Sequence, residues 1–207
     1  MAKVQFGLSN VHLFKLTETV DSGGNTSMSY GSAKSFPGAV NLTLSVESDD
    51  PDPFYADDSV YYQPAAMSKG YSGTLEVAML PNDIKTEFLN FIEDEDETII
   101  EIGSAERKYF GLTCEKQTDG QPIKKVFYKC SFGLPEYSAA TIEDSKTPQT
   151  ESIPITVVPT AAKFTYVDAG GNSISTSVVS GMADSDSDAT VYANWHTTPH
   201  LPSFAES

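Results

Sequence analysis

PGAVNLTLSVESDDPDPFYADDSVYYQPAAMSKGYSGTLEVAMLP, residues 37–81, holds the pattern that decides the fold of this chain. Val40, Leu42, Leu44 and Val46 alternate with polar residues, the period of a strand with one wet face. Asp49, Asp50, Asp52, Asp57 and Asp58 then form an acidic run broken by Pro51 and Pro53, and further strands are expected at 60–62 and 73–80. The run reads as a solvated loop, with a loose calcium site between strands as the alternative. Gly70, Tyr71, Ser72 and Gly73 begin like a nucleophile elbow, but Thr74 stands where the last glycine belongs and a strand follows instead of a helix. The expectation is a turn entering a strand.

Upstream, residues 11–17 are a short β candidate after an N-terminal arm. Residues 18–36, ETVDSGGNTSMSYGSAKSF, look too polar to pack and are expected to be a long functional loop with Tyr30 at its centre. Downstream, Asn82 and Asp83 suit a helix start, and Ile84, Phe88, Phe91 and Ile92 make an apolar stripe at helical spacing. That helix is expected to fray into the carboxylates at 93–97. Strands are expected at 99–102, 108–116, 123–132 and 153–158, with a polar loop at 134–151. Residues 163–167 and 173–179 flank Gly170 and Gly171 as a hairpin, and 191–195 suggest a last strand or docking arm. No internal repeat stands out. The reading is one mostly β domain over 1–207, with 161–207 as a C-terminal extension.

Cys114 and Cys130 flank a hairpin signal at Thr118, Asp119 and Gly120. A three-residue loop pairs Gln117 with Gln121 and puts Phe110, Leu112 and Cys114 on one face with Val126, Tyr128, Cys130 and Phe132. Cys114 then lies opposite Lys124 and Cys130 opposite Lys108, about 20 Å apart at strand rise and too far to bond. Both thiols are expected to be reduced core residues.

Chemistry-bearing groups are sparse. Asp184, Asp186 and Asp188 open like a calcium loop, but Ala189 replaces the required glycine and Trp195 the bidentate Glu. His196 and His200 share metal-pair spacing, yet Pro199 lies between them and no third ligand is near, so a flexible polar tail is expected. His12 reads as a strand residue. No grouping suggests acid/base catalysis, a cofactor or a metal, so the chain is not expected to be an enzyme.

At 207 residues, with 39% hydrophobic and 11% aromatic content, the chain can bury a core without staples. Its net charge of −16 argues against tight duplex binding, which is built on phosphate neutralisation. No apolar run is long enough for a membrane span, and the N-terminus lacks a leader pattern, so cytoplasmic synthesis and retention are expected and the Asn25 and Asn41 sequons are idle. Charge is unevenly placed. Arg107, Lys108, Lys116, Lys124, Lys125 and Lys129 crowd one segment, whereas 47–58 and 93–97 are purely acidic.

The segments MAKVQFGLSNVHLFKLTE, PGAVNLTLS, PFYADDSVYY, GYSGTLEVAMLP and PQTESIPITVV together resemble the major tail protein (tail tube protein) family of long non-contractile-tailed phages of Gram-positive bacteria. ATVYANW at 189–195 resembles the family's closing segment, where an aromatic often follows and His196 stands here. The resemblance implies a tail-tube β-sandwich or barrel with one flanking helix. It further implies hexameric rings stacked into a hollow virion tail, with a tape-measure protein and a tail terminator as partners and DNA passing through without tight binding. No membrane partner is implied.

On that expectation the lumen draws on Asp49, Asp50, Asp57, Asp58, Glu93, Glu95 and Glu97, whose sign repels phosphate. Arg107, Lys108, Lys124, Lys125 and Tyr30 are the inter-subunit candidates, since opposite patches can set the register of stacking. The competing readings are a carbohydrate-binding β-sandwich using Tyr55, Tyr61 and Tyr62 as a platform, and a secreted hydrolase, for which neither leader nor site is visible.

Overall fold

A computed structural model describes residues 4–49, 52–63, 67–103, 106–137, 139, 141, 148–168 and 170–204. Long strands dominate it: β1 (Gln5–Val20), β4 (Ala39–Asp49), β7 (Met67–Val77), β10 (Phe110–Thr118), β11 (Ile123–Phe132) and β12 (Glu151–Val157). With β2 (Thr26–Tyr30) they form an antiparallel sheet in the order β2-β1-β10-β11-β12-β7-β4. Two short strands, β3 (Lys34–Ser35) and β15 (Ser180–Ala183), pair with β1 and β11 to make nine. Three separate hairpins are β5 (Phe54–Ala56) with β6 (Ser59–Tyr62), β8 (Phe91–Glu93) with β9 (Ile99–Glu101), and β13 (Lys163–Val167) with β14 (Ser173–Ser177). The helices are short: α1 (Asn82–Phe88) and α2 (Ala189–Ala193). The protein is thus mostly β, and its large sheet does not close into a barrel.

The sheet curls around its main core. Leu13, Leu75, Val77, Phe110, Leu112, Phe127, Cys130, Ile153, Ile155 and Val157 meet there, capped by Leu80, Ile84 and Phe88 from α1 and its approach. Each such side chain contributes about 1.5–3 kcal/mol on leaving water. Val126, Tyr128, Ala183 and Trp195 make a second cluster with Met28 and Tyr30 against it. Because β11 supplies both clusters, both of its faces are covered, which explains its nearly unbroken burial.

That double burial corrects the expected hairpin register. The observed pairs are Lys116 with Ile123, Glu115 with Lys124, Cys114 with Lys125 and Leu112 with Phe127, one residue away from the expected pairing. A bulge then brings Phe110 opposite Cys130. Apolar parity cannot select the register of a strand that is apolar on both sides. Phe127 therefore joins the main core while Val126 and Tyr128 point to the second cluster. Cys114 and Cys130 are buried free thiols, and burial pushes the Cys114 thiol up to about 11.

Residues 18–36 are not a loop. β1 continues to Val20, and Leu16 pairs with Tyr30 through Val20 with Thr26 in a regular hairpin. Its turn is held by Asp21, whose Oδ1 accepts from the backbone N–H groups of Gly23 (2.8 Å) and Asn25 (2.9 Å). Gly24 takes φ 82°, a conformation glycine adopts without penalty.

The β13–β14 turn repeats this arrangement. Asp168 accepts from Gly170 and Asn172 at 2.8 Å each, and Gly171 again has φ 82°. VDSGGN at 20–25 and VDAGGN at 167–172 are therefore a short internal repeat with one shared bonding pattern. The β8–β9 turn is a third version, in which Asp94 Oδ1 accepts from Asp96 (3.0 Å) and Thr98 (2.8 Å) and Glu97 occupies the left-handed position at φ 60°. The carboxylates at 93–97 thus belong to a hairpin, and α1 ends at Phe88, before Phe91 and Ile92. Asn82 opens α1 without a side-chain cap, the N-cap position being Pro81.

Residues 189–195 begin as α2 instead of a strand. Asp188 caps it, accepting from Thr190 (2.9 Å) and Val191 (3.0 Å), a contribution of about 1 kcal/mol. Gly70 and Gly73 lie inside β7 instead of in a turn, where a β-carbon would collide with the carbonyls of Val157 and Thr43.

Candidate assembly surfaces

The β5–β6 hairpin is built from the acidic, aromatic segment between β4 and β7. Ala56 pairs with Ser59 across a two-residue turn in which Asp57 (φ 50°) and Asp58 (φ 56°) are both left-handed, the twist that suits a tight hairpin. Phe54, Tyr55, Val60, Tyr61 and Tyr62 are each 52–76% exposed. Phe54 and Tyr61 meet edge to face at 6.4 Å, so the hairpin is stiffened by its own rings. A two-stranded hairpin without a core beneath it is marginal in water, and clustered exposed aromatics mark a contact surface.

A groove of about 290 Å³ opens where the curled sheet brings β1 toward β4. Leu8, Leu42 and Leu44 are half-buried in it, packed on the main core beside the buried Phe127. Phe6, 65% exposed, stands at its side, and Lys116 and Lys125 bring positive charge. Lys125 Nζ lies 5.4 Å from the centre of the Phe127 ring.

On the opposite face the C-terminal segment is clasped to the sheet. Glu115, 6% exposed, is the centre of the clasp. Its Oε2 accepts from Asn10 Nδ2 (2.6 Å), and its Oε1 accepts from His196 Nε2 (3.0 Å) and lies 3.4 Å from Lys124 Nζ. Because the Glu115 carboxylate can only accept, the ring proton sits on His196 Nε2, and Nδ1 of the neutral ring accepts from Thr113 Oγ1 (2.8 Å). Lys124 also donates to the Tyr192 carbonyl (2.9 Å), and Tyr128 Oη to the His200 carbonyl (2.9 Å). Burial is the largest influence on Glu115 and pushes its carboxyl up, but the Asn10 and His196 bonds and the neighbouring charges together hold it below the usual range. Burial lowers His196, outweighing Glu115. The segment carrying Tyr192, His196 and His200 is therefore docked, contrary to the flexible tail expected from sequence. His200 stacks on Trp195 at 6.1 Å.

The sequence-selected residues scatter over these surfaces. Asp57 and Asp58 form the hairpin tip, while Glu93, Glu95 and Glu97 are exposed on the separate β8–β9 hairpin. Asp49 ends β4, and Asp50 lies outside the described residues. Of the basic set, Arg107 is exposed and Lys125 lines the groove. Lys108 is exposed but donates to the Thr86 carbonyl of α1 (2.7 Å). Lys124 is consumed by Glu115 and Tyr192 inside the subunit. Tyr30 is likewise engaged within the chain, donating to the Tyr128 carbonyl (2.8 Å).

The groove, with Phe6 and Leu8, was not singled out by sequence, because its walls come from three separate stretches of the chain around Leu8, Leu42 and Lys116. The hairpin's signal was present: five large apolar residues within nine positions, on both parities, cannot all face inward. Among the described residues no group of three or more His, Cys, Asp or Glu is placed to hold a metal ion, and no helix is long and apolar enough to cross a membrane. No protein-family model and no curated protein matches this chain.

Proposed function

We propose that this protein is a structural subunit of a phage tail tube, self-assembling into stacked, hexameric rings around a channel for DNA. The observation that carries the proposal is the β5–β6 hairpin, whose aromatic residues are folded into a defined shape yet left in solvent. Such a surface is matched to a neighbour. The open sheet adds to this, because its terminal strands β2 and β4 present main-chain groups that strands of adjacent copies can pair, turning an aggregation hazard into a ring. The sequence resemblance supplies the particular class. On this reading the protein is not an enzyme and needs no cofactor, and it resides in the virion tail after assembly in the host cytoplasm. Its partners are its own copies, a tape-measure protein and a tail terminator.

Negative-stain imaging and sedimentation of the purified protein test the reading. Rings or tubes are expected at high concentration or with the tape-measure protein added. A species that stays monomeric at millimolar concentration, at all salts and with tail partners present, sinks it. The same aromatics favour one second reading, a carbohydrate-binding module with Tyr55, Tyr61 and Tyr62 as platform; saturable binding of oligosaccharides by a monomer distinguishes it.

A further inference from the structure

We propose that the β5–β6 hairpin of one copy seats in the β1/β4/β10/β11 groove of a second copy, with Asp57 and Asp58 meeting Lys116 and Lys125. The inference rests on the self-assembly reading and says which surfaces meet. The groove offers an apolar floor of Leu8, Leu42 and Leu44, and its volume of about 290 Å³ has room for an aromatic side chain. Its lysines have no ion-pair partner among the described residues, nor do Asp57 and Asp58 at the hairpin tip. Apolar surface and charge are therefore complementary at once.

A second copy is the occupant because the chain's own hairpin does not fill its groove: the rings of Phe54, Tyr55, Tyr61 and Tyr62 are all mostly exposed. The hairpin hangs from the far end of β4, five residues or about 16 Å of strand beyond Leu44. Each copy thus carries a donor and an acceptor at different places. Such a contact is head to tail, and repeats into a ring or a filament instead of closing as a two-fold dimer. The paired charges fix the direction in which the hairpin enters.

A double-mutant cycle and a cross-link test this. Asp57→Asn with Asp58→Asn keeps side chains that tolerate the left-handed turn while removing its charge. Lys116→Gln with Lys125→Gln removes the groove's charge. Circular dichroism confirms that each variant is folded. Either pair should raise the protein concentration needed for assembly about tenfold, and the combined variant should be little worse than either pair. In parallel, copies carrying Tyr61→Cys are mixed with tagged copies carrying Phe6→Cys under mild oxidation. A mixed disulfide should form in the mixture, since the native thiols are buried and weakly reactive.

Tubes that form normally from both charge variants, with no mixed disulfide, overturn the hairpin-in-groove contact and leave the tube reading standing. Effects that multiply in the combined variant also overturn it. Wild-type protein that never assembles removes the tube reading and this inference together. Binding of cellohexaose or maltohexaose that Tyr61→Ser abolishes, with assembly unaffected by that change, overturns the inference in favour of a glycan platform.

Discussion

The ring of Tyr30 rests so closely on Gly111 that a β-carbon there would stand 2.6 Å from Tyr30 Cε1. The phenol reaches past it to the Tyr128 carbonyl, tying the β1–β2 hairpin to β11 across β10. Gly111→Ala should therefore overpack the site and lower stability by about 1–3 kcal/mol. Tyr30→Phe keeps the ring and loses only the hydrogen bond, at about 1 kcal/mol. Urea denaturation of the two variants measures both. An unchanged midpoint for Gly111→Ala would show that the ring is free to move away.

Glu97 holds the backbone position that Gly24 and Gly171 hold in the two sister turns. A non-glycine residue there carries left-handed strain, partly offset by the lower unfolded-state entropy of a chain without glycine. Glu97→Gly should stabilise the protein by about 0.5–1 kcal/mol. Calorimetry showing a lower melting temperature would refute the account of that turn.

Acidification should loosen the C-terminal clasp in two steps. His196 has a folded value below its ordinary 6.5, so the unfolded chain holds the extra proton more readily. Its contribution is complete above about pH 6.5 and is lost as pH falls through the folded value. Glu115 is depressed below 4.5, so its contribution persists to lower pH and disappears last. Melting temperature and Trp195 fluorescence should both fall from pH 7 to 5, and His196→Gln should flatten the upper part of that decline. A flat wild-type profile over this range would exclude His196 as the responsive group.

Reversing Lys124 and reversing Lys116 should have opposite characters. Lys124→Glu sets a second carboxylate against buried Glu115 and should cost about 3 kcal/mol of folding stability. Lys116→Glu sits in solvent and should leave the melting curve of the subunit nearly unchanged while weakening assembly. Sequence alone placed Lys124 with Lys125 on one contact surface. Adjacent residues of a strand point to opposite faces, and only the register decides which is outside.

The same point governs what could be read in advance. β11 was legible to its ends, and the β13–β14 hairpin nearly so, because apolar residues and glycine turns bracket both. The β1–β2 hairpin was obscured by its Ser and Gly content, although Thr26, Met28 and Tyr30 keep the two-residue period and are the half-buried positions of β2. Phe91 and Ile92 fit a helical stripe and a strand equally well, as short apolar runs do. For α2 the deciding signal was Asp188, a cap that the sequence reading weighed only as a position of a rejected calcium loop. The Glu115 clasp joins residues 10, 115, 124 and 196, and no local pattern announces a contact at such separation.

The groove and the hairpin differ in when they come into being on the ribosome. The hairpin is local to residues 54–62, so it can form as soon as that segment clears the exit tunnel. The groove needs β1, β4, β10 and β11 together, so it exists only once synthesis has passed Phe127. If copies join by hairpin in groove, as proposed, a nascent chain would be able to offer itself to a finished subunit but not to receive one. Growth would then proceed by complete molecules accepting newcomers, and a translating polysome would be spared threading its unfinished chains into one another.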